Sequence, residues 1–241
     1  MTITSENTIG EVVTKNIKTA DIFKKYGIDF CCGGGITIKK ACEKHQIDYL
    51  QLQHELLQAE EGNHYSHQYD TWELDYLAAH IEHVHHKYVA TNTPIIQQYA
   101  AKVAKVHGHH YQEVIKINDL FNEVAKELAA HMKKEELILF PFIKKLAIAS
   151  KNNEKIRIPY FGTVNNPIKM MEEEHENAGE ILKQIKELSN NYNPPKEACN
   201  TFRALYAKLE EFENDLHQHI HLENNILFPK AIVLEQKFGI H

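Results

Sequence analysis

Apolar residues recur every three or four positions through most of the chain after residue 71, which is the spacing of one face of an α-helix. The pattern is interrupted at three stretches that contain glycine, proline or asparagine: 107–111, 150–167 and 190–195. The four helices that this pattern predicts lie at about 71–106, 112–148, 166–189 and 196–234. Because most of the connections are short, neighbouring helices should run in opposite directions, and we expect an all-α, antiparallel four-helix bundle.

The first 60 residues contain shorter periodic segments, which predict a small helical domain ahead of the bundle. Its expected helices run from Thr19 to Tyr26, from Thr37 to His45 and from Asp48 to about Glu60. Residues 61–70 are polar and aperiodic and predict a linker. The expected organisation is therefore a small domain at 1–60, a linker at 61–70 and a bundle domain at 71–241.

One motif occurs twice, on the second and on the fourth predicted helix of the bundle. The copies run from His131 through Glu135 to Pro141 and from His219 through Glu223 to Pro229, and both end in Ile-Leu-Phe-Pro. A histidine and a glutamate four residues apart lie on one face of a helix, about 6 Å from each other. The two side chains of each copy can therefore bind the same ion or ligand.

Both copies of the motif lie on the predicted inner faces of the bundle, and every inner face carries a histidine. The inner positions, helix by helix, are Trp72, Tyr76, Ala79, His83, His86 and Ala90; Leu120, Val124, Leu128, His131, Glu135, Leu139 and Phe142; Ile168, Met171, His175, Ala178, Leu182 and Ile185; and Leu205, Leu209, Phe212, Leu216, His219, Glu223 and Ile226. On the first helix, spacing alone does not choose between His83 and His86. His217 and His221 flank His219 on other faces and are expected in solvent.

Ionisable side chains in a bundle core need partners, because a buried imidazole or carboxylate without one costs several kcal/mol. The inner histidines and glutamates that need them are His86, His131, Glu135, His175, His219 and Glu223. Four imidazoles and two carboxylates are enough for two metal ions, bridged by the carboxylates and about 3.5–4 Å apart. Nitrogen and oxygen donors without thiolate favour iron over manganese or zinc, and they leave positions for an oxo group, dioxygen or nitric oxide.

The composition is that of a globular protein. The chain has 241 residues, of which 43% are hydrophobic, and it contains no apolar run long enough to cross a bilayer. Its polar start, from Met1 to Glu11, is unlike a signal peptide, so a cytoplasmic location is expected. The formal charge is -6 and no long basic cluster occurs. We therefore expect neither a membrane nor nucleic acid as a partner.

Four cysteines are too few and too unevenly spaced for a disulfide framework, which agrees with a reducing compartment. Cys31 and Cys32 are adjacent and are followed by the glycines 33–35. Adjacent side chains diverge and do not easily bind one metal ion, so the pair is either incidental or a pair of reactive thiols. The glycines predict a mobile, uncrowded loop that could present the thiols to another site, whereas Cys42 and Cys199 are expected in the core.

These motifs together resemble one known family, the iron-sulfur cluster repair di-iron proteins, or repair of iron centres family. The resemblance rests on the two copies of the motif and on the stretches Met171–Glu180 and Tyr26–Gly35, and it covers about residues 8–234. It implies a hemerythrin-like four-helix bundle preceded by a small helical domain with a cysteine pair. The family's reactive cysteines fall on Cys31 and Cys32.

The metal ligands that the resemblance implies are the same six side chains: His86, His131, Glu135, His175, His219 and Glu223. The implied cofactor is a pair of non-haem iron ions with oxo and carboxylate bridges. The family also tends to have a histidine where His107 stands. Its role stays open between an outer contact, a channel lining and an occasional ligand.

The resemblance implies that the protein repairs iron-sulfur clusters damaged by nitric oxide or oxidative stress, as part of a stress response. It would bind or reduce nitric oxide, or donate iron, so an enzymatic nitric oxide-reducing activity is an open expectation. The implied partners are damaged iron-sulfur proteins, with nitric oxide or dioxygen as the small ligand, and a homodimer is a further expectation. The alternative is a hemerythrin-like carrier or sensor of dioxygen or nitric oxide without turnover, which would have no use for a dithiol.

Overall fold

The computed structural model describes residues 3–61 and 68–239, which form helices joined by turns. Those residues contain no β-strand, and an isolated antiparallel bridge joins Thr8 to Thr37. The predicted all-α class is therefore confirmed. Among the described helices, none is both long enough and apolar enough to cross a lipid bilayer.

The described N-terminal residues, 3–61, contain four short helices, one more than the sequence pattern predicted. They are α1 (Ile9–Lys15), α2 (Thr19–Lys25), α3 (Ile38–His45) and α4 (Tyr49–Glu61). The helix that was missed, α1, has a capping box: the Thr8 hydroxyl accepts from the N–H of Glu11, and the Glu11 carboxylate accepts from the N–H of Thr8. A threonine followed three residues later by glutamate signals such a start in the sequence.

The longer helices follow a 3-10 turn at Tyr69–Thr71. They are α5 (Leu74–Ile81), α6 (Lys87–His107), α7 (Glu113–Lys134), α8 (Phe140–Asn152), α9 (Asn165–Leu188), α10 (Asn200–Leu222) and α11 (Phe228–Gln236). Wider π turns join some of them without a break: Glu82–His86 between α5 and α6, Glu135–Leu139 between α7 and α8, and Glu223–Leu227 between α10 and α11. The described chain after residue 71 thus contains four continuous helical runs, as predicted.

The chain divides into two compact units, each assembled from separate stretches of sequence. The N-terminal unit comprises the described residues within 1–77, 146–157 and 217–241, and the bundle unit comprises residues 78–145 and 158–216. The N-terminal unit therefore includes the end of α10 and all of α11 in addition to α1–α4. Of the predicted linker, residues 62–67 lie outside the described residues, and the domain boundaries at 60 and 71 stay a prediction.

The bundle unit is built on α6, α7, α9 and α10, each of which contacts two of the others. Side-chain hydrogen bonds join these helices as a ring: Gln97–Asn122 (α6–α7), Glu127–Asn177 (α7–α9), Lys186–Glu213 (α9–α10) and Asn92–Lys208 (α6–α10). Tyr88 near the start of α6 contacts Phe212 in the second half of α10, whereas His107 at the end of α6 contacts Phe202 near the start of α10. These two helices are therefore antiparallel, and the predicted antiparallel four-helix bundle is confirmed.

The predicted inner faces of the last three helical runs are buried, apart from the half-buried Leu120. The face predicted for the first run is wrong in part: His86 is buried, but Tyr76 is 60% exposed and His83 and Ala90 are exposed as well. A π turn contains one residue more than an α-helical turn, so the π turn Glu82–His86 rotates the residues that follow it by about 100°. The positions of this run that are buried include Leu77, Ile81, His86, Val89 and Ile96.

Candidate metal centre

Four of the predicted ligands are buried in the core of the bundle unit. They are His86 at the end of the first π turn, His131 in the last turn of α7, Glu135 at the start of the second π turn, and His175 in α9. The exposed fraction of each residue is 3% or less. Because water does not hydrate these groups, their free energy depends on the partners that surround them.

The ring nitrogens of these histidines converge on the carboxylate of Glu135. Glu135 Oε2 lies 3.2 Å from His131 Nε2 and 3.4 Å from His86 Nε2. His175 Nε2 lies 3.0 Å from His131 Nε2, and one ligand atom each from His131, Glu135 and His175 lie within 4.8 Å of one another. Donor atoms at these separations can share a metal ion, so the structure brings these predicted ligands together.

The opposite ring nitrogens of two of these histidines face carboxylates. His86 Nδ1 lies 2.8 Å from Glu136 Oε1, and His131 Nδ1 lies 2.9 Å from Glu174 Oε2. Burial alone would raise the pKa of Glu174, but hydrogen bonds from Lys134 and His131 outweigh it and hold the pKa below its ordinary value. A charged carboxylate at Nδ1 favours the tautomer that carries the proton there, which leaves the Nε2 lone pair available to a metal ion.

The remaining two predicted ligands form a second buried pair, in the N-terminal unit. His219 Nε2 lies 2.9 Å from Glu223 Oε1, and the two residues are 1% and 0% exposed. His219 is in α10, and Glu223 opens the π turn Glu223–Leu227. The pair therefore has the same local arrangement as His131 with Glu135.

In both copies of the motif the glutamate begins a π turn and the proline follows it. The N–H of Phe140 bonds to the carbonyl of Glu135, five residues earlier, and the N–H of Phe228 bonds to that of Glu223. A proline inside a helix usually ends or kinks it, but here the chain continues through Pro141 and Pro229 as α8 and α11. Proline has no N–H to donate to the carbonyl four residues earlier, and its ring crowds that carbonyl. In both copies the π turn includes this carbonyl, so the wider turn lies where the α-helical hydrogen bond would be missing.

The structure distinguishes the two histidines that competed on the first helical run. His86 is 2% exposed and its Nε2 faces Glu135, as described above. His83 is exposed, and its Nδ1 lies 2.7 Å from the carbonyl oxygen of Ala79. The geometry therefore supports His86 as the ligand from this run.

His107 lies far from the buried histidines of the bundle unit. It ends α6, 21 residues after His86, which is about 30 Å along a helix. Its Nε2 lies 3.3 Å from Cys199 Sγ, and its ring packs on Phe202. This distance excludes His107 as a ligand beside His86, and the expectation that Cys199 lies in the core is wrong, because it is exposed.

The N-terminal unit buries a histidine that was expected in solvent. His221 is 1% exposed; its ring packs beside Phe30, and its Nε2 lies 3.5 Å from the Thr14 hydroxyl. Burial lowers its pKa to about 4, against a hydrogen bond with the Phe30 backbone that raises it. The prediction was wrong because it treated the last helix as a bundle helix with an open outer face. His217 is partly buried and also contacts Phe30.

The cysteine pair lies on the loop between α2 and α3, which is organised by one carboxylate. Asp29 Oδ1 accepts hydrogen bonds from the N–H groups of Cys31 and Cys32, and Oδ2 accepts one from Gly33. Cys31 is buried and Cys32 is partly exposed, both as free thiols, while Cys42 is buried as predicted. The pKa of Cys31 is raised well above its ordinary value by its hydrogen bond with Cys32 and by burial, so Cys31 is protonated at neutral pH.

The expectation of an uncrowded loop is wrong at Gly34. A Cβ atom there would lie 2.6 Å from the carbonyl oxygen of Phe30, and the Gly34 carbonyl accepts a 2.8 Å bond from the N–H of Gly10. The side-chain amide of Asn225 donates to the carbonyls of Phe30 and Cys31. This glycine therefore permits close packing, and the loop is attached to the π turn that begins at Glu223.

The donor set of the buried groups fits a metal ion of intermediate hardness. Imidazole nitrogen and carboxylate oxygen suit iron, zinc and manganese, and no thiolate is among these donors. His131, Glu135 and His175 supply two nitrogens and one carboxylate within the bundle unit. The six predicted side chains as one ligand set, and iron as the metal, stay predictions.

Known protein families match both the N-terminal helices and the helical bundle. The profile of the hemerythrin HHE cation-binding domain matches residues 77–231, and that of a domain of unknown function, DUF542, matches residues 5–60. The chain is 34% identical to the iron-sulfur cluster repair protein ScdA of Staphylococcus haemolyticus over 95% of this chain and 99% of that protein.

Two further relatives carry similar names. The chain is 35% identical to the iron-sulfur cluster repair protein YtfE of Edwardsiella ictaluri, over 93% of this chain and 96% of that protein. It is 33% identical to a probable iron-sulfur cluster repair protein of Haemophilus influenzae, over 88% of this chain and 90% of that protein. These matches run through both the cysteine loop and the buried histidines, and the chain belongs to the family of iron-sulfur cluster repair proteins.

Proposed function

We propose that this protein repairs iron-sulfur clusters damaged by nitric oxide or oxidative stress, through two non-haem iron ions held by its histidines and glutamates. The reaction class is supported by the relatives, which are named iron-sulfur cluster repair proteins. The observation that carries the metal centre is the convergence of His131, Glu135 and His175 within 4.8 Å in the bundle core.

The proposed ligand set combines the two buried groups into one di-iron centre: His86, His131, Glu135, His175, His219 and Glu223. Three features support this assignment. Both His-x-x-x-Glu pairs are buried, both glutamates open a π turn, and the cation-binding profile spans all six positions. The two glutamates would then bridge the ions, and the four imidazoles would bind through Nε2.

The protein side chains would bind the metal ions, fix the tautomers of the histidines and keep water out of the site. Glu136 and Glu174 hold the Nδ1 protons of His86 and His131, and Phe140 stacks on the His86 ring with a centroid separation of 5.6 Å. When bound, two iron ions supply one-electron redox chemistry and coordination positions for nitric oxide or dioxygen. The proposed chemistry is binding or reduction of nitric oxide, or donation of iron to a damaged cluster.

A metal count tests the proposed centre. Protein purified without added metal should contain about two iron ions per chain, and His131→Leu should lose both, because the ions share bridging carboxylates. His83→Leu is the matched control, since this exposed histidine lies one turn from His86 and should leave the iron content unchanged. Iron-free parent protein would contradict the centre, and loss of only half the iron would indicate two independent sites.

A repair assay tests the reaction. Aconitase inactivated by nitric oxide should regain activity with the parent protein and not with His131→Leu. A ferrous chelator that blocks recovery would indicate iron donation, whereas formation of nitrous oxide would indicate reduction of nitric oxide. Reversible binding of dioxygen or nitric oxide without any recovery of aconitase would instead support the hemerythrin-like carrier.

Cys31 and Cys32 are the proposed reactive residues of the N-terminal unit. Their support is the position of the thiols on a loop that Asn225 attaches to the π turn of Glu223. We expect the double variant Cys31→Ser, Cys32→Ser to keep its iron and to lose aconitase recovery. If the double variant restored aconitase as well as the parent does, the thiols would have no part in repair.

The proposed location is the cytoplasm, and the proposed clients are iron-sulfur proteins. The support is that all four cysteines are free thiols, as a reducing compartment would keep them. The homodimer stays a prediction, which the mass of the purified protein in solution would test.

A further inference from the structure

A second group of metal-binding atoms lies on the cysteine loop, separate from the histidines and glutamates. Asp29, Cys31 and Cys32 each place one ligand atom within 4.8 Å of the others. The two Sγ atoms are 4.0 Å apart, and Cys31 Sγ lies 3.1 Å from Asp29 Oδ1. The sequence alone predicted divergent side chains for adjacent cysteines, and the loop conformation brings the sulfurs to the same side instead.

These separations are close to those of donors around a single ion. Zinc–sulfur bonds are about 2.3 Å and zinc–oxygen bonds about 2.0–2.2 Å, so two thiolates on a tetrahedral ion lie about 3.8 Å apart. The observed sulfur separation of 4.0 Å is close to that value. Shifts of about 1 Å or less would therefore place both sulfurs and the carboxylate oxygen around one ion.

The loop also has the supports that a metal site needs. The carboxylate of Asp29 is oriented by the N–H groups of Cys31, Cys32 and Gly33, and the backbone of Cys31 is fixed by Asn225. Contacts of this kind orient ligands and strengthen metal binding. Asp29 is exposed and Cys32 is partly exposed, so an ion can enter from solvent on this side of the loop.

We propose that Asp29, Cys31 and Cys32 form a second metal site, which takes a divalent ion with affinity for thiolate, ferrous iron or zinc. On binding, each thiol forms a metal–sulfur bond and releases its proton to solvent, so one dication replaces two protons and no electron is transferred. Three protein donors leave a fourth position for water or for a ligand from another molecule. This site goes beyond the proposed repair function and does not depend on it.

Cobalt titration of the reduced full-length protein tests the site. Cobalt bound by thiolates gives an intense near-ultraviolet charge-transfer band, whereas cobalt bound by histidine and glutamate lacks it. The parent protein and the control Cys199→Ser should develop this band with one ion per chain. Cys31→Ser and Cys32→Ser should lose it, and Asp29→Asn should bind cobalt about tenfold more weakly.

Further measurements separate this site from the proposed iron centre and from a folding defect. His131→Leu should keep the band, because that variant leaves the loop intact. The cysteine variants should keep the helical circular dichroism of the parent and the two iron ions of the proposed centre. Ferrous iron or zinc should displace the cobalt. The proposal would be overturned by a parent without the band, by a band of parent strength in Cys32→Ser, or by cobalt that neither ion displaces.

Discussion

The two ring nitrogens of His131 have different partners, and this division controls what the residue can do. Its Nδ1 faces Glu174 at 2.9 Å, while its Nε2 faces Glu135 and His175 in the core. Glu174 also accepts a hydrogen bond from Lys134 at the edge of the site. A charged group outside the ligand set therefore fixes the proton position of a buried ring, which a list of ligands alone would not show.

The first prediction concerns this outer carboxylate. Glu174→Gln keeps the size of the side chain but removes its charge, so the Nδ1 proton of His131 should be held less firmly and metal affinity should fall about 10–100-fold. Competition for iron with a chelator measures the change. Glu173→Gln is the control, because this neighbouring glutamate is exposed. Equal affinity in the two variants would show that Glu174 does not orient the histidine.

Among the helical elements, the π turn Glu223–Leu227 joins two features of the N-terminal unit. It begins with a predicted ligand, and two residues later it carries Asn225, whose amide donates to the carbonyls of Phe30 and Cys31. The loop glycine Gly34 leaves room for that amide, since a Cβ atom would lie 2.8 Å from Asn225 Oδ1. The position of the thiols thus depends on the conformation of this turn.

The second prediction tests this attachment. Asn225→Ala removes the two hydrogen bonds to the loop carbonyls, worth about 1 kcal/mol each. The loop should therefore open more often, and Cys31 should react roughly tenfold faster or more with a thiol reagent. The measurement uses the Cys32→Ser, Cys199→Ser background, because both of these cysteines are more exposed than Cys31 and would react first. Asn224→Ala is the matched control and should leave the rate of Cys31 unchanged. An unchanged rate in Asn225→Ala would mean that other contacts hold the loop.

Features that depend on local spacing could be predicted from the sequence, and features that depend on packing between distant segments could not. The pairs His131 with Glu135 and His219 with Glu223 follow from helical periodicity, and the structure brings each pair together. The burial of His221 depends on contact with Thr14 and Phe30, which are about 200 residues away in sequence. The π turn Glu82–His86 adds one residue to the first helical run. A count that assumes a constant helical period therefore places the buried positions of this run one residue off.

At the scale of the whole molecule, the proposed metal ligands would link stability to metal binding. Buried imidazoles and carboxylates contribute little to folding by themselves, because the loss of hydration offsets their mutual attraction. A metal ion that binds only the folded chain adds free energy according to its concentration and affinity. The stability of this protein should therefore depend on its metal supply.

The third prediction measures this dependence. Ferrous iron at 100 times its dissociation constant should raise the free energy of unfolding of the parent by about 2.7 kcal/mol for each ion bound. Urea unfolding of metal-free and iron-loaded protein, followed by circular dichroism, gives the value. In the Cys31→Ser, Cys32→Ser background, which lacks the proposed loop site, His131→Leu should show little response to iron, whereas His83→Leu should respond as that background does. A parent insensitive to iron would contradict metal binding in the folded state.

The π turns also determine how many residues the chain can have at these positions. Leu137 is 75% exposed in the turn Glu135–Leu139, so many substitutions there should be harmless. Its deletion should be tolerated as well, because closing the turn to regular α-helix removes the extra residue and the extra width together. The orientation of α8 would then stay nearly the same, with Phe140 and Ile143 in the core. A deletion in the regular part of α8 would instead rotate the residues that follow it by about 100°. The π turn can therefore lose a residue that a regular helix cannot, and chain length is less strictly fixed there than in the helices on either side.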